Sequence, residues 1–291
     1  MESLTIKAPA KINLALDVLG KRSDGYHELR MIMQTVSLYD TLTIEWTPED
    51  ENITVQTETP IEGLTHPRDN LVYRAAEKMK GHNGIKGGFS IALQKDIPVA
   101  AGMAGGSTDC AAALIGINRL MQLALSDEEL CAIGVTLGAD VPYCIKRGSM
   151  LAEGIGEKLT ALPHPPRLHI LLVKPDVSIS TAFVYRSLGE LEGYAHPNVD
   201  GMVQAIASQD TDALLGNLGN VLENAAIPAY PVVAKIKENL ALWGADGVLM
   251  SGSGPTVFAL FKEEAQCKTV EKMAKQMWPG YFVHACEFTD A

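Results

Sequence analysis

The chain has 291 residues, of which 47% are hydrophobic and 20% charged, a composition typical of a globular protein with one or two domains. Its formal net charge of −11 argues against nucleic-acid binding through basic stripes, so an anionic ligand has to be bound locally. The five cysteines are widely spaced and no apolar run reaches about 18 residues, so we expect a soluble, cytoplasmic protein with reduced thiols and no membrane partner.

The first hundred residues predict mainly strands. The segment KINLALDVL alternates apolar and polar residues, which predicts a half-buried strand with Lys11 and Asn13 on the face opposite the apolar one. Asp24-Gly25 predicts a hairpin turn after it. The segments DTLTIEW, NITVQTE and GGFSIALQK predict further strands, and DNLVYRAAEKMKGHNG predicts a capped helix that ends in glycine.

A glycine-rich loop, IPVAAGMAGGSTD at residues 97–109, follows the last of these strands and precedes a helical pattern. Backbone amides at a helix N-terminus are unsatisfied donors at the positive end of the helix dipole, and small residues let a phosphate approach them closely. The loop is therefore either a phosphate site or only a tight turn. The residues alone leave both open.

A second helix is predicted from the capping box of Ser126 and Glu129, and we expect it to end at Gly138. Asp140 follows directly, and Pro142 discourages continuation of the helix. The proline cluster at 162–167 predicts a boundary between an N-terminal domain, 1–162, and a C-terminal domain, 163–291.

The C-terminal part predicts a buried strand at LHILLV and a helix near STAFVYRSL. Three helical patterns follow between Val199 and Trp243, and then strand, turn, strand, helix and strand. The turn contains Gly252-Ser253-Gly254, for which a supporting structural role is expected rather than catalysis.

The common phosphate and nucleophile motifs are absent. The only Gly-Lys pair, Gly20-Lys21, is followed by Arg22, so there is no P-loop. The tripeptides of protein kinases, the dinucleotide fingerprint and the Gly-x-Ser-x-Gly nucleophile elbow are missing as well. If the loop binds phosphate, it is of another type.

Three segments in order, PAKINLAL, PVAAGMAGGSTDCAAAL and LMSGSGPTVFALF, resemble the three motifs of the GHMP kinases, the galactokinase, homoserine, mevalonate and phosphomevalonate kinase family. The resemblance covers almost the whole chain. It implies an α+β fold in two domains, the first similar to ribosomal protein S5 domain 2 and the second ferredoxin-like. It also implies an ATP-dependent small-molecule kinase.

The resemblance assigns roles to residues. Asp140 is implied to accept or orient the proton of the attacking hydroxyl. Lys11 is implied to lie beside Asp140, to hold it ionised and to stabilise the charge that develops on the hydroxyl oxygen. The hydroxyls of Ser107 or Thr108 are candidate ligands for Mg²⁺. The ATP phosphates are implied to bind the middle motif, which consists of Pro98, Val99, Ala100, Ala101, Gly102, Met103, Ala104, Gly105, Gly106, Ser107 and Thr108.

Within the family, GYHEL at Gly25-Tyr26-His27 and LGADVPYCI are similar to the branch that phosphorylates the 2-hydroxyl of 4-diphosphocytidyl-2-C-methyl-D-erythritol, in the non-mevalonate route to isoprenoids. Tyr26, His27 and Tyr185 are then implied to hold the cytidine diphosphate end, and Asn13 a substrate hydroxyl. The alternatives are a homoserine or mevalonate type of GHMP kinase and a non-catalytic nucleotide-binding relative.

Overall fold

The structure is a computed structural model that describes residues 3–61 and 64–290. The chain packs as two compact units. Unit 1 contains the residues up to Ala10 together with Leu38–Val99 and Ala104–Lys146, and unit 2 contains Lys11–Ser37, Ala100–Met103 and the residues from Arg147 onward. This division follows packing, and the domain boundary after residue 162 stays a prediction.

The strands include two long ones near the N-terminus, which contribute residues to both units. In chain order the strands are β1 Ser3–Lys21, β2 His27–Thr47, β3 Ile53–Thr57, β4 Gly88–Gln94, β5 Ser149–Gly154, β6 Lys158–Ala161, β7 His169–Lys174, β8 Gly219–Asn220, β9 Gly247–Met250, β10 Val257–Phe261 and β11 Phe282–Glu287.

The helices range from one and a half to more than four turns. They are α1 Leu71–Asn83, α2 Gly105–Leu120, α3 Asp127–Gly134, α4 Val141–Lys146, α5 Thr181–Leu188, α6 Val199–Ala207, α7 Thr211–Gly216, α8 Glu223–Ala229, α9 Pro231–Leu242 and α10 Glu264–Met277, with a short 3-10 helix at Pro67–Asp69 before α1. None of the helices in the described part of the chain has the length and apolar character needed to cross a bilayer.

Unit 1 is a sheet with helices packed on it. Strands β3, β4 and β2 lie side by side, with β3 parallel and β2 antiparallel to β4. Helix α2 packs against α1 and α4, and at Gly116 it lies directly on the sheet. A Cβ atom at Gly116 would be 2.5 Å from Ile44 Cδ1, so the small residue lets the helix approach β2 closely.

Unit 2 contains a four-stranded antiparallel sheet in the order β11-β7-β10-β9, with α9 and α10 packed against it. In the same unit β8 pairs in parallel with β1, β5 pairs with β2, and β6 pairs with β5. Strand β8 has only two residues, Gly219 and Asn220, and its pairing places the chain segment that follows β8 beside β1.

Strand β1 departs from the predicted half-buried strand. Lys11 is 5% exposed and Asn13 is fully buried, like the apolar residues between and after them. Apolar and polar residues alternate along the strand as predicted, but the side chains on both of its faces are buried. Buried polar side chains of this kind need hydrogen-bond partners, and Lys11 Nζ donates to Asn13 Oδ1 over 2.7 Å.

The helix predicted from Ser126 to Gly138 ends earlier, at Gly134. The amides of Leu137 and Gly138 both bond to the Gly134 carbonyl, so tight turns replace the last predicted helical turn. As expected, α3 does not continue through Pro142. A separate short helix, α4, begins at Val141, because a proline in a first helical turn lacks only an amide that has no partner there.

The segment between Val199 and Trp243 forms four helices, α6 to α9, where the sequence predicted three. The described cysteines are all free thiols, as expected: four of the side chains are buried and Cys131 is partly exposed. Burial raises the pKa of Cys110 to about 12, so this thiol is in its unreactive protonated form at neutral pH.

Candidate active site

Helix α2 begins without a side-chain cap, unlike α1 and α3 of the same unit. Its N-cap residue, Ala104, has a left-handed conformation with φ of 58° and offers no side-chain hydrogen bond, whereas Asn70 and Ser126 cap the other two helices. An uncapped N-terminus presents backbone amides at the positive end of the helix dipole. Residues 104–108, called the phosphate cradle below, are therefore suited to an anionic group.

Glycines keep the phosphate cradle open. Gly106 is exposed, and a Cβ atom there would meet only Leu71 Cδ1, at 3.8 Å. At Gly105 a Cβ atom would lie 3.3 Å from Lys95 Nζ and would crowd the ion cluster beneath the helix. The two glycines therefore have different functions: Gly106 leaves space for a ligand to approach from solvent, and Gly105 lets the helix pack closely on Lys95.

A buried ion cluster anchors the start of the loop, and sequence reasoning missed it. Lys95 Nζ donates to Asp109 Oδ2 over 2.7 Å and also to Asp40 Oδ2. The second oxygen of Asp40 accepts the amides of Asp96 and Ile97, at 2.6 and 2.8 Å. One carboxylate on β2 thus holds both the backbone that enters the loop and the lysine that reaches into helix α2.

Burial and the neighbouring charges act in opposite directions on the pKa values of Asp109 and Lys95. Burial raises the pKa of the Asp109 carboxyl well above its ordinary value, although Lys95 opposes the shift. Burial also lowers the pKa of Lys95, but the two neighbouring carboxylates outweigh it and the net shift is upward. Because Lys95 stays charged between two acidic groups, it anchors the loop rather than offering an unpaired cation to a ligand.

Asp140 lies in unit 1, directly before α4, and its carbonyl accepts the amide of Cys144. The turn that precedes it reaches the phosphate cradle, since a Cβ atom at Gly138 would be 3.8 Å from Ser107 Oγ. The structure therefore brings the turn of the predicted catalytic aspartate next to the predicted phosphate-binding hydroxyl.

Unit 1 also contains a pocket of about 390 Å³. Asn70, the N-cap residue of α1, lines the pocket, and the next residue, Leu71, lies beside Gly106 of the phosphate cradle. No motif of the sequence predicted the pocket. Its lining mixes apolar and hydrogen-bonding side chains: Ile53, Thr54, Val55, Thr57, Pro60, Ile61, Leu64, Thr65, His66, Pro67 and Asn70.

In unit 2 the two predicted residues of β1 form a buried pair. The ammonium of Lys11 donates to Asn13 Oδ1 over 2.7 Å, and Asn13 Nδ2 lies 3.3 Å from Met31 Sδ on β2. The amide oxygen of Asn13 is neutral, so this hydrogen bond orients the ammonium of Lys11 without neutralising it.

The central residues of the loop, 100–103, contact the third motif within unit 2. Ser251 Oγ donates to the Gly102 carbonyl over 3.0 Å, and the amide of Lys11 donates to the Met103 carbonyl over 3.2 Å. A Cβ atom at Gly102 would lie 2.2 Å from the Ser251 carbonyl oxygen, and its φ is +73°. Only glycine fits there.

The aromatic residues assigned to the cytidine end are partly assembled. The rings of His27 and Tyr185 have centroids 4.9 Å apart, whereas Tyr26 is 58% exposed on the turn before β2. Burial lowers the pKa of His27, and nearby Lys21 lowers it further. A neutral imidazole at pH 7 offers one donor and one acceptor, which suits a pyrimidine edge.

The described residues contain no cluster of three or more His, Cys, Asp or Glu side chains that could hold a metal ion. The hydroxyl of Thr108 is nevertheless buried without a hydrogen-bond partner among the described residues, and Ser107 is partly exposed. Hydroxyl oxygens are acceptable ligands for a hard cation that also binds phosphate. The residues therefore fit Mg²⁺ that arrives with a nucleotide.

Two family models match the chain: GHMP kinases N terminal domain over residues 70–148, and GHMP kinases C terminal over residues 202–280. The chain belongs to the GHMP kinase family, and the predicted two-domain α+β fold is confirmed.

Within the family the similarity is to one branch. The 4-diphosphocytidyl-2-C-methyl-D-erythritol kinase of Lachnospira eligens is 47% identical over 287 residues, 99% of each chain. The kinase of the same name from Lachnoclostridium phytofermentans is 52% identical over 264 residues, 91% of this chain and 90% of that one. A crystal structure of 4-(cytidine 5'-diphospho)-2C-methyl-D-erythritol kinase is 31% identical with a TM-score of 0.82, and the match covers 99% of this chain and 100% of that chain. The chain therefore belongs among the 4-diphosphocytidyl-2-C-methyl-D-erythritol kinases.

The predicted site residues divide between the two units. Asp140 and the phosphate cradle belong to unit 1, and Lys11, Asn13, His27 and Tyr185 belong to unit 2. The geometry within each unit agrees with the roles implied by the family resemblance. The direct pairing of Lys11 with Asp140 stays a prediction.

Proposed function

We propose that the chain transfers the γ-phosphoryl group of ATP to the 2-hydroxyl of 4-diphosphocytidyl-2-C-methyl-D-erythritol, a step of the non-mevalonate route to isoprenoid precursors. The observation that carries the proposal is the similarity over nearly the full length to kinases named for this substrate. The site residues of both units are consistent with it.

The ATP phosphates bind the phosphate cradle and the loop before it. Support comes from the uncapped start of α2 and from the exposed glycine at 106. Each interaction with the dipole is worth only about 0.3–1 kcal/mol, so several amides must converge on the phosphates. Mg²⁺ supplies neutralisation of the phosphate charge when bound, and Ser107 or Thr108 would hold it.

The adenine base occupies the 390 Å³ pocket in unit 1. The argument is proximity, because Asn70 lines the pocket and its neighbour Leu71 lies beside Gly106 of the phosphate cradle. Apolar side chains such as Val55 suit the ring faces, and the threonine hydroxyls and the Asn70 amide suit the ring edge.

At the acceptor end, Asp140 accepts or orients the proton of the attacking hydroxyl, and the ammonium of Lys11 stabilises the negative charge that develops on its oxygen. Burial strengthens the effect of Lys11, which is 5% exposed. Asn13 holds Lys11 in place and can bind a substrate hydroxyl with its amide group.

The cytidine base stacks on the aromatic group formed by His27 and Tyr185, with Tyr26 as a further platform. The support is the 4.9 Å separation of the His27 and Tyr185 rings, which fixes one aromatic wall. Stacking on an aromatic side chain favours a nucleotide-bearing alcohol over a bare one.

A coupled ADP-release assay with three alcohols tests the function. We expect Mg²⁺-dependent turnover with 4-diphosphocytidyl-2-C-methyl-D-erythritol and none with homoserine or mevalonate. Turnover with homoserine or mevalonate instead would indicate another GHMP activity. ATP binding without turnover on any of the three would favour a non-catalytic relative.

Replacement of the catalytic aspartate tests its role. Asp140→Asn should lower kcat by about 10²- to 10⁴-fold, because the amide cannot accept the hydroxyl proton. The dissociation constant for ATP, measured by calorimetry, should stay close to that of the wild type. Asp212→Asn, the same change at an exposed ion pair with Lys262, serves as the control and should leave kcat unchanged. Turnover by Asp140→Asn at the wild-type rate would contradict the role.

Truncation of the aromatic wall tests the cytidine site. Tyr185→Ala should raise KM for the cytidine diphosphate alcohol about 5- to 100-fold, because base stacking is lost, and leave KM for ATP unchanged. Tyr185→Phe keeps the ring and should behave like the wild type. The control is Phe183→Ala in the same helix, where the ring packs on Tyr230 instead. An unchanged KM in Tyr185→Ala would mean that the base binds elsewhere.

Filling the pocket tests the adenine site. Val55→Trp should raise KM for ATP by at least about 10-fold, since the indole occupies space that the base needs, while KM for the alcohol stays the same. Leu242→Trp places the same ring at a side chain that is 82% exposed and is the control. Thermal unfolding of both variants verifies that they fold. The assignment fails if ATP binds to folded Val55→Trp as it does to the wild type.

A further inference from the structure

Asn220 is a buried amide with no role in the reaction described above. It is 6% exposed and stands at the end of β8, opposite Leu16 of β1. Its Nδ2 donates to the carbonyls of Met250 and Gly252, each over 2.8 Å, and its Oδ1 accepts the amide of Leu222 over 3.0 Å. Three hydrogen bonds thus fix this side chain in one orientation.

The two carbonyls that Asn220 holds flank Ser251, at the start of the third-motif turn. Ser251 donates its hydroxyl to the Gly102 carbonyl of the loop over 3.0 Å. Its backbone is fixed from the other side as well, because its amide donates to the Thr256 carbonyl. The orientation of the Ser251 hydroxyl therefore depends on the path of residues 250–252, which Asn220 sets.

The loop is held from β1 at the next residue. The amide of Lys11 donates to the Met103 carbonyl, while Val221, the neighbour of Asn220, donates its amide to the Leu16 carbonyl of the same strand. The Met103 carbonyl is thus bonded directly to β1, through the amide of Lys11. The Gly102 carbonyl is bonded to Ser251, whose neighbours are held by Asn220 beside β1. One of the two connections passes through Asn220 and Ser251.

We propose that Asn220 is a positioning residue for the phosphate loop, acting through Ser251 on Gly102. The proposal rests on the proposed function, in which residues 98–108 bind the phosphates of ATP. In this proposal the third motif, through Ser251, fixes the backbone of the loop at Gly102, two residues before the N-cap of α2. Asn220 holds the third motif in place.

The variant Asn220→Asp tests this with almost no change in shape. The carboxylate cannot donate to the Met250 and Gly252 carbonyls and leaves them without their buried donor, so the turn should move and release Gly102. The turn keeps a second anchor, because Glu223 Oε1 accepts the amide of Met250 over 2.9 Å. We expect the dissociation constant and KM for ATP to rise by at least about 10-fold, with KM for the cytidine diphosphate alcohol unchanged.

Asn118→Asp is the matched control. Asn118 also makes two side-chain bonds to a turn, donating to the Leu125 carbonyl and accepting its amide, both over 3.0 Å, but it lies near the end of α2. This variant should lower the melting temperature and leave ATP affinity unchanged. If Asn220→Asp does the same, Asn220 is merely structural and the proposal is wrong.

The Ser251→Ala variant and the double variant test the route. Ser251→Ala should raise the dissociation constant for ATP in the same direction, and its effect and that of Asn220→Asp should combine to less than their product. Fully multiplicative effects would show that Asn220 does not act through Ser251. ADP release by the wild type reports on the proposed function, whereas ATP affinity of the variants, measured by calorimetry, reports on Asn220, so the two can fail separately.

Discussion

The phosphate loop depends on a backbone contact that only glycine permits. At Gly102 the chain lies so close to Ser251 that any Cβ atom would be 2.2 Å from a carbonyl oxygen. Because no side chain separates the two segments, the Ser251 hydroxyl reaches the Gly102 carbonyl from a position 149 residues later in the chain. A loop of small residues has little side-chain packing of its own, so its conformation has to be set by neighbours of this kind. The first of its residues are set in the same way by the carboxylate of Asp40.

Lys95 and Lys11 bind partners of different kinds. Lys95 bonds to two carboxylates, which offset the cost of burying its charge and leave it with a structural task. Lys11 donates to the neutral amide of Asn13 over 2.7 Å, which orients the ammonium.

The sequence predicted features whose cause is local. The capped helix predicted over DNLVYRAAEKMKGHNG and the capping box of Ser126 depend on neighbours within a few residues, and both are confirmed, the first with Asn70 as its cap. Features that depend on distant packing were not predictable. The burial of both faces of β1, for example, depends on contacts that no short segment encodes. The same holds for the site, where the three family motifs were visible but Lys95, Asp40 and Asn220 were not, because their partners lie far away in the chain. Asp109 directly after Ser107-Thr108 was the one available sign of the ion cluster.

A kinase with a large negative net charge has to attract phosphate compounds such as ATP without a favourable net charge. The formal charge of −11 makes the long-range field unfavourable, so binding depends on short-range groups of fixed direction. Backbone amides meet this need because they carry no net charge and attract anions only at close range, provided the loop is held in the right conformation. Under the proposed function, the contacts of Ser251 and the Asp40 cluster with the loop backbone support affinity, since a loop free to move would have to be ordered at the expense of binding free energy.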